Sequence, residues 1–274
     1  MKNLPRNGWF VGTAVLVLGL LRGFGAPEQT APTAGDIMQK AVQRAQSPEV
    51  REDRPAYRYT KHTVTEELDT QGHLKDRHEK LYDVRVESGL SRLKLVQLNG
   101  QVLSADEQRK RDAEDLAERQ KMTDSKSGKK GDERENFLTA DLVAKYKFTL
   151  KRELQINGRD TYELAFEPAS PTLPEDHLTD RFLNHVAGTV WIDAREFEIT
   201  RAEIHLTGEV TLWGGVIGTL TQCSYTLERV REPDGTWFNG ISRGFFQGRK
   251  LMAPMLIRTR SEATDFQRLD LALQ

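Results

Sequence analysis

The chain has 274 residues, 37% hydrophobic and 30% charged, with a formal net charge of -1. That composition fits a globular body carrying charged, poorly packed segments. It gives no basic face of the kind that nucleic-acid binding requires. Removing residues 1–26 takes away Lys2, Arg6 and Arg22 and no acid, leaving 37 basic against 41 acidic residues, near -4.

Residues 1–26 read as a secretory signal. Lys2 and Arg6 form a positive n-region, and Trp9 to Leu21 is an apolar run too short to span a bilayer comfortably. Gly23, Gly25 and Ala26 follow, but Phe24 and Pro27 suit a cut after Ala26 poorly. An uncleaved inner-membrane anchor therefore stays open beside a cleaved export signal. The single cysteine, Cys223, excludes an intramolecular disulfide and leaves no lipid-bearing thiol beside the apolar run. It reads as a small buried residue of a strand.

Residues 27–35 (PEQTAPTAG) read as a flexible mature N-terminus. Asp36 is a candidate N-cap for a helix to Gln46, with Ile37, Ala41 and Ala45 on one face. Tyr57–Leu68, Leu74–Glu87 and Leu90–Leu98 alternate as strands, and Asn99-Gly100 is a hairpin turn. Residues 104–135 break the pattern. Ser104 and Glu107 match a capping box, but the charges beyond lie on every face. That segment reads as a solvated insertion, with a docking arm as the other reading.

Phe137–Lys147 predicts a short helix with Leu138, Leu142 and Tyr146 in a stripe. Asn157-Gly158 then joins strands Phe148–Ile156 and Thr161–Phe166. Glu175–Val186 predicts a helix with Leu178, Phe182 and Val186 in a stripe, stopped by Gly188. The last third is strand after strand: Thr189–Ile192, Phe197–Leu206, Val210–Leu212, Val216–Val230, Trp237–Gln247 and Met255–Phe266. The apolar set Phe197, Ile199, Ala202, Ile204 and Leu206 shifts phase by one, which predicts a bulge. Gly240, Gly244 and Gly248 fall at one strand period with Phe238 and Phe246. They mark either strong coiling or room for a ligand.

No short catalytic or nucleotide-binding motif is present. His62 and His73, with His78, Asp76 and Glu79 nearby, could approach across the first hairpin, but a metal site needs three or four converging ligands. His177 and His185 are too far apart on a helix to share one ion. His205 reads as a strand residue. Trp191, Trp213, Trp237, Phe238, Phe245 and Phe246 are the stronger lead, as the wall of a sheet that curls without closing.

The chain resembles the LolA/LolB-like superfamily of bacterial envelope proteins. The resemblance rests on the export signal, the helix at Asp36–Gln46 and two segments. One runs from Tyr146 through Asn157-Gly158-Arg159 to Phe166-Glu167-Pro168. The other runs from Gly188-Thr-Val-Trp191-Ile192-Asp193 to Arg201-Ala-Glu203. It implies an α+β fold over residues 36–268: a large curved antiparallel sheet, an incomplete β-barrel, with a few covering helices. It also implies a periplasmic carrier rather than an enzyme, without cofactor or metal, holding a lipid, acyl chain or lipoprotein anchor. The missing lipobox cysteine sets the chain apart from LolB-type acceptors, and the insertion is a departure. The expected trough is lined by Leu212, Val216, Leu220, Phe238, Phe246, Met255 and Ile257, with Leu178, Phe182 and Val186 as a lid. The other reading is an envelope sensor or assembly module that binds another envelope protein and carries no lipid. A metal enzyme or hydrolase on the His-bearing hairpin is a third. The sequence leaves the oligomeric state open.

Overall fold

Two Asn-Gly dipeptides set the pattern of the sheet. Asn99 (φ 50°) with Gly100 (φ 79°) and Asn157 (φ 51°) with Gly158 (φ 75°) hold both central turn positions at positive φ. That geometry matches the right-handed twist of the flanking strands, and Asn and Gly reach it at least cost. The computed structural model describes residues 31–51, 54–87, 90–110, 138–170, 178–212, 218–251 and 253–270. The signal segment, most of the charged insertion, His177, Trp213 and Val216 lie outside the described residues.

The elements run α1 (Ala34–Gln46), α2 (Pro48–Arg51), β1 (Tyr57–Leu68), β2 (Leu74–Glu87), β3 (Leu90–Leu98), β4 (Gln101–Val102), α3 (Ala140–Ala144), β5 (Tyr146–Ile156), β6 (Arg159–Pro168), α4 (Leu178–Leu183), β7 (Val186–Asp193), β8 (Ile199–Leu206), β9 (Val210–Leu212), β10 (Gly218–Arg231), β11 (Trp237–Lys250) and β12 (Ala253–Arg268). All twelve strands form one antiparallel sheet in the order β4-β3-β2-β1-β12-β11-β10-β8-β7-β6-β5, with β9 also paired to β10. Most sequence neighbours pair, but β8 joins β10 past β9, β4 and β5 do not pair, and β1 joins β12 across the length of the chain. The sheet is open, since β4 and β5 end it without pairing. The expected α+β class, one large antiparallel sheet with a few helices, is what the chain adopts. No helix among the described residues is long and apolar enough to cross a membrane.

Helix boundaries moved where tertiary contacts outweigh local pattern. The α1 N-cap is Thr33, not Asp36. Thr33 accepts from the Asp36 amide, and Asp36 accepts from the Thr33 backbone in a capping box. The helix therefore starts three residues earlier, and Asp36 serves as its third residue. The expected face is correct, with Ile37, Ala41 and Ala45 buried, and Met38 and Val42 widen it. Tyr146 and Val186, expected on helices, open β5 and β7 instead. Each is a bulky residue claimed by a strand partner, Pro168 and Leu206 respectively. The phase shift in β8 is a bulge, where the register slips between Trp191 and Ile192 opposite Arg201 and Ile199.

The register defines the faces. One transverse row runs Leu150–Leu164–Val190–Ala202–Leu227–Ser242–Ser261–Thr63–Lys80 from β5 to β2. Its first half is apolar because α1 covers it. Ile37, Met38 and Ala41 pack there against Leu164, Val190, Ile192 and Ala202. Burying each larger side chain stabilises by roughly 1.5–3 kcal/mol. Its second half turns to hydroxyls, and Thr63 and Ser261 hydrogen-bond at 2.9 Å. A second core seals the far end of the same face, where Tyr57, Tyr59, Val84, Val86 and Phe238 are buried together.

Candidate functional site

Past the Leu227–Ser242–Ser261 row, on the side away from the second core, the α1 face carries apolar residues that belong to neither core. Successive rows there are Tyr225–Gly244–Thr259, Cys223–Phe246–Ile257 and Leu220–Gly248–Met255. Phe246, Ile257, Leu220 and Met255 are half-buried, and Cys223 is buried. Val210 of β9 opposes Leu220 and is buried at its flank. The sequence-level candidates Leu220, Phe246, Met255 and Ile257 thus meet on one surface.

Glycine shapes this floor in two ways. A Cβ on Gly244 would fall 2.7 Å from Phe246 Cε2 and 2.8 Å from Thr259 Oγ1, so the Phe246 ring lies over the glycine. The room that Gly244 leaves is therefore taken by the protein's own side chain. A Cβ on Gly248 would fall 2.0 Å from the Thr219 carbonyl oxygen. This glycine allows the strands to approach closely where the register slips between Leu220 and Gln222.

Helix α4 lies against β9, beside this surface. It is held by Lys145, whose Nζ meets Asp180 at 2.5 Å, and by Tyr146, whose hydroxyl donates to the Leu183 carbonyl at 2.7 Å. Burial pushes the Tyr146 phenol up to about 12, so this donor stays protonated across ordinary pH. Phe182 is half-buried on α4. Leu178 opens that helix, but its side chain lies outside the described residues. Val186 is buried in β7 and belongs to the sheet rather than to a lid helix.

The remaining candidates go elsewhere. Leu212 ends β9, with its side chain outside the described residues, as is all of Val216. Phe238 shares the α1 face but has no exposed surface, being enclosed by Tyr57, Tyr59 and Phe266. Trp237 donates from Nε1 to Glu196 at 2.6 Å, and Trp191 lies under the Arg201 guanidinium, so both serve the fold.

The histidines separate as well. His73 sits in the β1–β2 turn against Asp69, His62 approaches Glu79 at 3.6 Å, and His78 approaches Asp76 at 3.0 Å. Among the described residues no three His, Cys, Asp or Glu side chains group as metal ligands. Burial raises the Cys223 thiol above its ordinary value, which disfavours the thiolate.

The geometry is therefore that of an apolar floor beside a short helix, without a reactive constellation among the described residues. No family model matches the chain, and no curated protein matches its sequence. Solved structures do match it. The chain is similar to LolA superfamily structures. A LolA superfamily protein from Nitrosomonas europaea shares 13% identity over 88% of this chain and 96% of its own, with a TM-score of 0.34. A DUF1329 family protein from Desulfovibrio piger shares 12% over 89% and 96%, with a TM-score of 0.33. A putative outer membrane lipoprotein-sorting protein domain from Vibrio parahaemolyticus shares 14% over 86% and 96%, with a TM-score of 0.29. Superpositions this loose carry no function across. What this chain does has to come from its own residues.

Proposed function

We propose that this protein is an exported, periplasmic, non-catalytic carrier that holds an acyl chain, from a lipid or a lipoprotein anchor, on the floor around Phe246. The observation that supports this reading is the half-buried apolar surface of Leu220, Phe246, Met255 and Ile257, which belongs to neither core. A filled core would have enclosed these residues as it encloses Phe238. Binding is driven by burial, at roughly 0.8 kcal/mol per methylene removed from water. An acyl chain fits this chemistry because the floor is apolar while the hydroxyls of Thr63, Thr259 and Ser261 continue the same face toward β1. The Phe246 ring, lying over Gly244, is the element that would move to admit it.

Native mass spectrometry of protein purified without detergent from an exporting host, with organic extraction of the same sample, tests this. A lipid at a defined ratio is expected from the wild type. Phe246→Asp should fold normally by circular dichroism and retain at least about tenfold less lipid, since about 1.4 kcal/mol is a factor of ten. An unchanged ratio in that variant would show that Phe246 does not line the site. A wild type that is lipid-free and takes up none when offered would remove the carrier reading and leave an envelope module that binds a protein partner.

A further inference from the structure

The sheet ends differently at its two edges. At one, β5 is bulged between Leu150 and Arg152, and its cations are matched, Lys147 to Glu167 at 3.8 Å and Arg152 to Glu163 at 2.8 Å. At the other, β4 pairs only with Gln97 and Leu98 of β3. The Val96 and Leu95 carbonyls accept from the Leu103 amide and the Gln108 side chain. Leu90–Lys94 runs in unbroken register with β2 and, among the described residues, has no backbone partner on its far side. Alternate N–H and C=O groups of such a strand point outward and can template another strand.

The two faces of this edge differ in chemistry. Leu93 and Leu95 lie on the α1 face, opposite Val84 and Tyr82, and prolong the second core to the edge. Leu93 stays 41% exposed there. On the other face Arg92 stands directly opposite Arg85, and Arg85 opposite Arg58. Arg58 is matched, since it holds Asp83 in a two-point fork at 2.7 and 3.2 Å. Lys94 opposes the same Asp83 but forms no ion pair with it. Arg85, Arg92 and Lys94 are all exposed, and none has an ion-pair partner among the described residues. Glu87, the other acid of this patch, pairs with none of them. Arg58, Arg85, Arg92 and Lys94 against Asp83 and Glu87 leave a local charge of +2 in a chain of net charge -1.

We propose that the β3 edge binds an extended segment of a partner protein, added to the sheet as a further strand, with acidic residues on one face and apolar residues on the other. Side chains alternate along a strand, so the partner sets Asp or Glu against Arg92 and Lys94, and apolar side chains against Leu93. Backbone bonds carry such an addition, and the alternating side chains select the partner. A second copy of this chain fits badly. The fullest antiparallel overlap of two such edges about a two-fold axis sets Arg92 against its own equivalent, and like charges directly opposite are unfavourable. The basic patch thus closes the edge to self-association and leaves it open to an acidic strand.

Fluorescence anisotropy on the full chain tests this with a labelled peptide that alternates glutamate and valine over about seven residues, enough to span the free edge. Saturable binding is expected, with a lysine–valine counterpart at least about tenfold weaker. Arg92→Glu is an exposed change that should leave the circular dichroism spectrum unaltered. It should weaken the acidic peptide by a similar factor and strengthen the basic one. Methylating one alternate set of the peptide's backbone nitrogens should abolish binding, and methylating the other set should spare it, because only one set faces the edge. Equal binding of both methylated peptides would reduce the contact to charge attraction and overturn strand addition. Equal binding by Arg92→Glu, or none by the wild type, would overturn the proposal as well. So would a concentration-dependent dimer in analytical sedimentation that excludes the peptide, since that gives the edge to a second copy. None of these readouts depends on whether Phe246 holds an acyl chain.

Discussion

Phe238→Ala is expected to lower stability by about 3–5 kcal/mol, the usual range for removing a buried phenyl ring. For a domain of this size that is a fall in Tm of roughly 6–20 °C, read by thermal circular dichroism. Phe238 has no exposed surface. Its ring meets Tyr57 edge-on at 4.9 Å, Tyr59 at 5.6 Å and Phe266 in a stack at 4.8 Å. The Arg54 guanidinium lies 4.4 Å from the ring centroid.

The aromatic partners come from β1 and β12 and Phe238 itself from β11, so one side chain joins the first strand to the last two. The surroundings resist collapse, because the Tyr57 hydroxyl is fixed to Asp234 at 2.8 Å. Burial and that bond push the Tyr57 phenol up to about 12, which keeps it a donor. The cavity should therefore persist rather than fill. A loss below about 1 kcal/mol would mean that the aromatic cluster is not the core of this end of the sheet.

Much of this sheet could be read locally. Strands β1, β2, β3 and β9 have the bounds that alternation and turn residues predict, because their register is fixed by nearby Asn-Gly, Gly or polar turns. The bulge in β8 was visible as a phase shift in Ile199, Ala202, Ile204 and Leu206. The pairing of β1 with β12 was not visible, since no local pattern links Tyr57 to Arg268 across the intervening chain. That pairing is also what encloses Phe238. The same alternation rule grouped Phe238 with Phe246, yet only long-range contacts separate a sealed ring from a half-open one.

The candidate site was legible to a similar degree. Phe246, Met255 and Ile257 share a face because period two carries through these parts of β11 and β12, and Leu220 joins them across the register slip before Gln222. The reason for Gly244 was not legible, since its space is filled by the ring two residues on. The ion network around Asp193 was missed, because its partners lie on four separate elements.

That network carries the second large effect. Asp193 is completely buried and accepts from Arg159 Nε at 2.5 Å and Nη2 at 3.0 Å. It also accepts from the Arg195 and Glu196 amides at 3.0 and 2.8 Å. Glu196 accepts from Arg231 at 2.7 Å and from Trp237 at 2.6 Å, and meets Arg159 at 3.2 Å. Arg159→Ala leaves a buried carboxylate with backbone donors alone, and breaking one side of such a pair costs about 3–5 kcal/mol. Arg159→Lys should recover little, because a single ammonium cannot reproduce the two-point fork.

The pH dependence follows from the same contacts. Burial pushes both carboxyls up. The Arg159 bonds and the two amides outweigh this at Asp193, and the Arg231 and Trp237 bonds outweigh it at Glu196, so both lie below their ordinary values. A carboxyl depressed in the folded state contributes stability that is fully present above its unfolded value, near 4. It is lost as pH falls through the folded value. Denaturant unfolding at pH 7 should therefore show the widest gap between wild type and Arg159→Ala, and the gap should narrow below about pH 4. Asp193→Asn should flatten the acid limb, since one proton fewer is taken up on unfolding. A gap that does not change with pH would assign the loss to packing of the Arg159 side chain rather than to its charge.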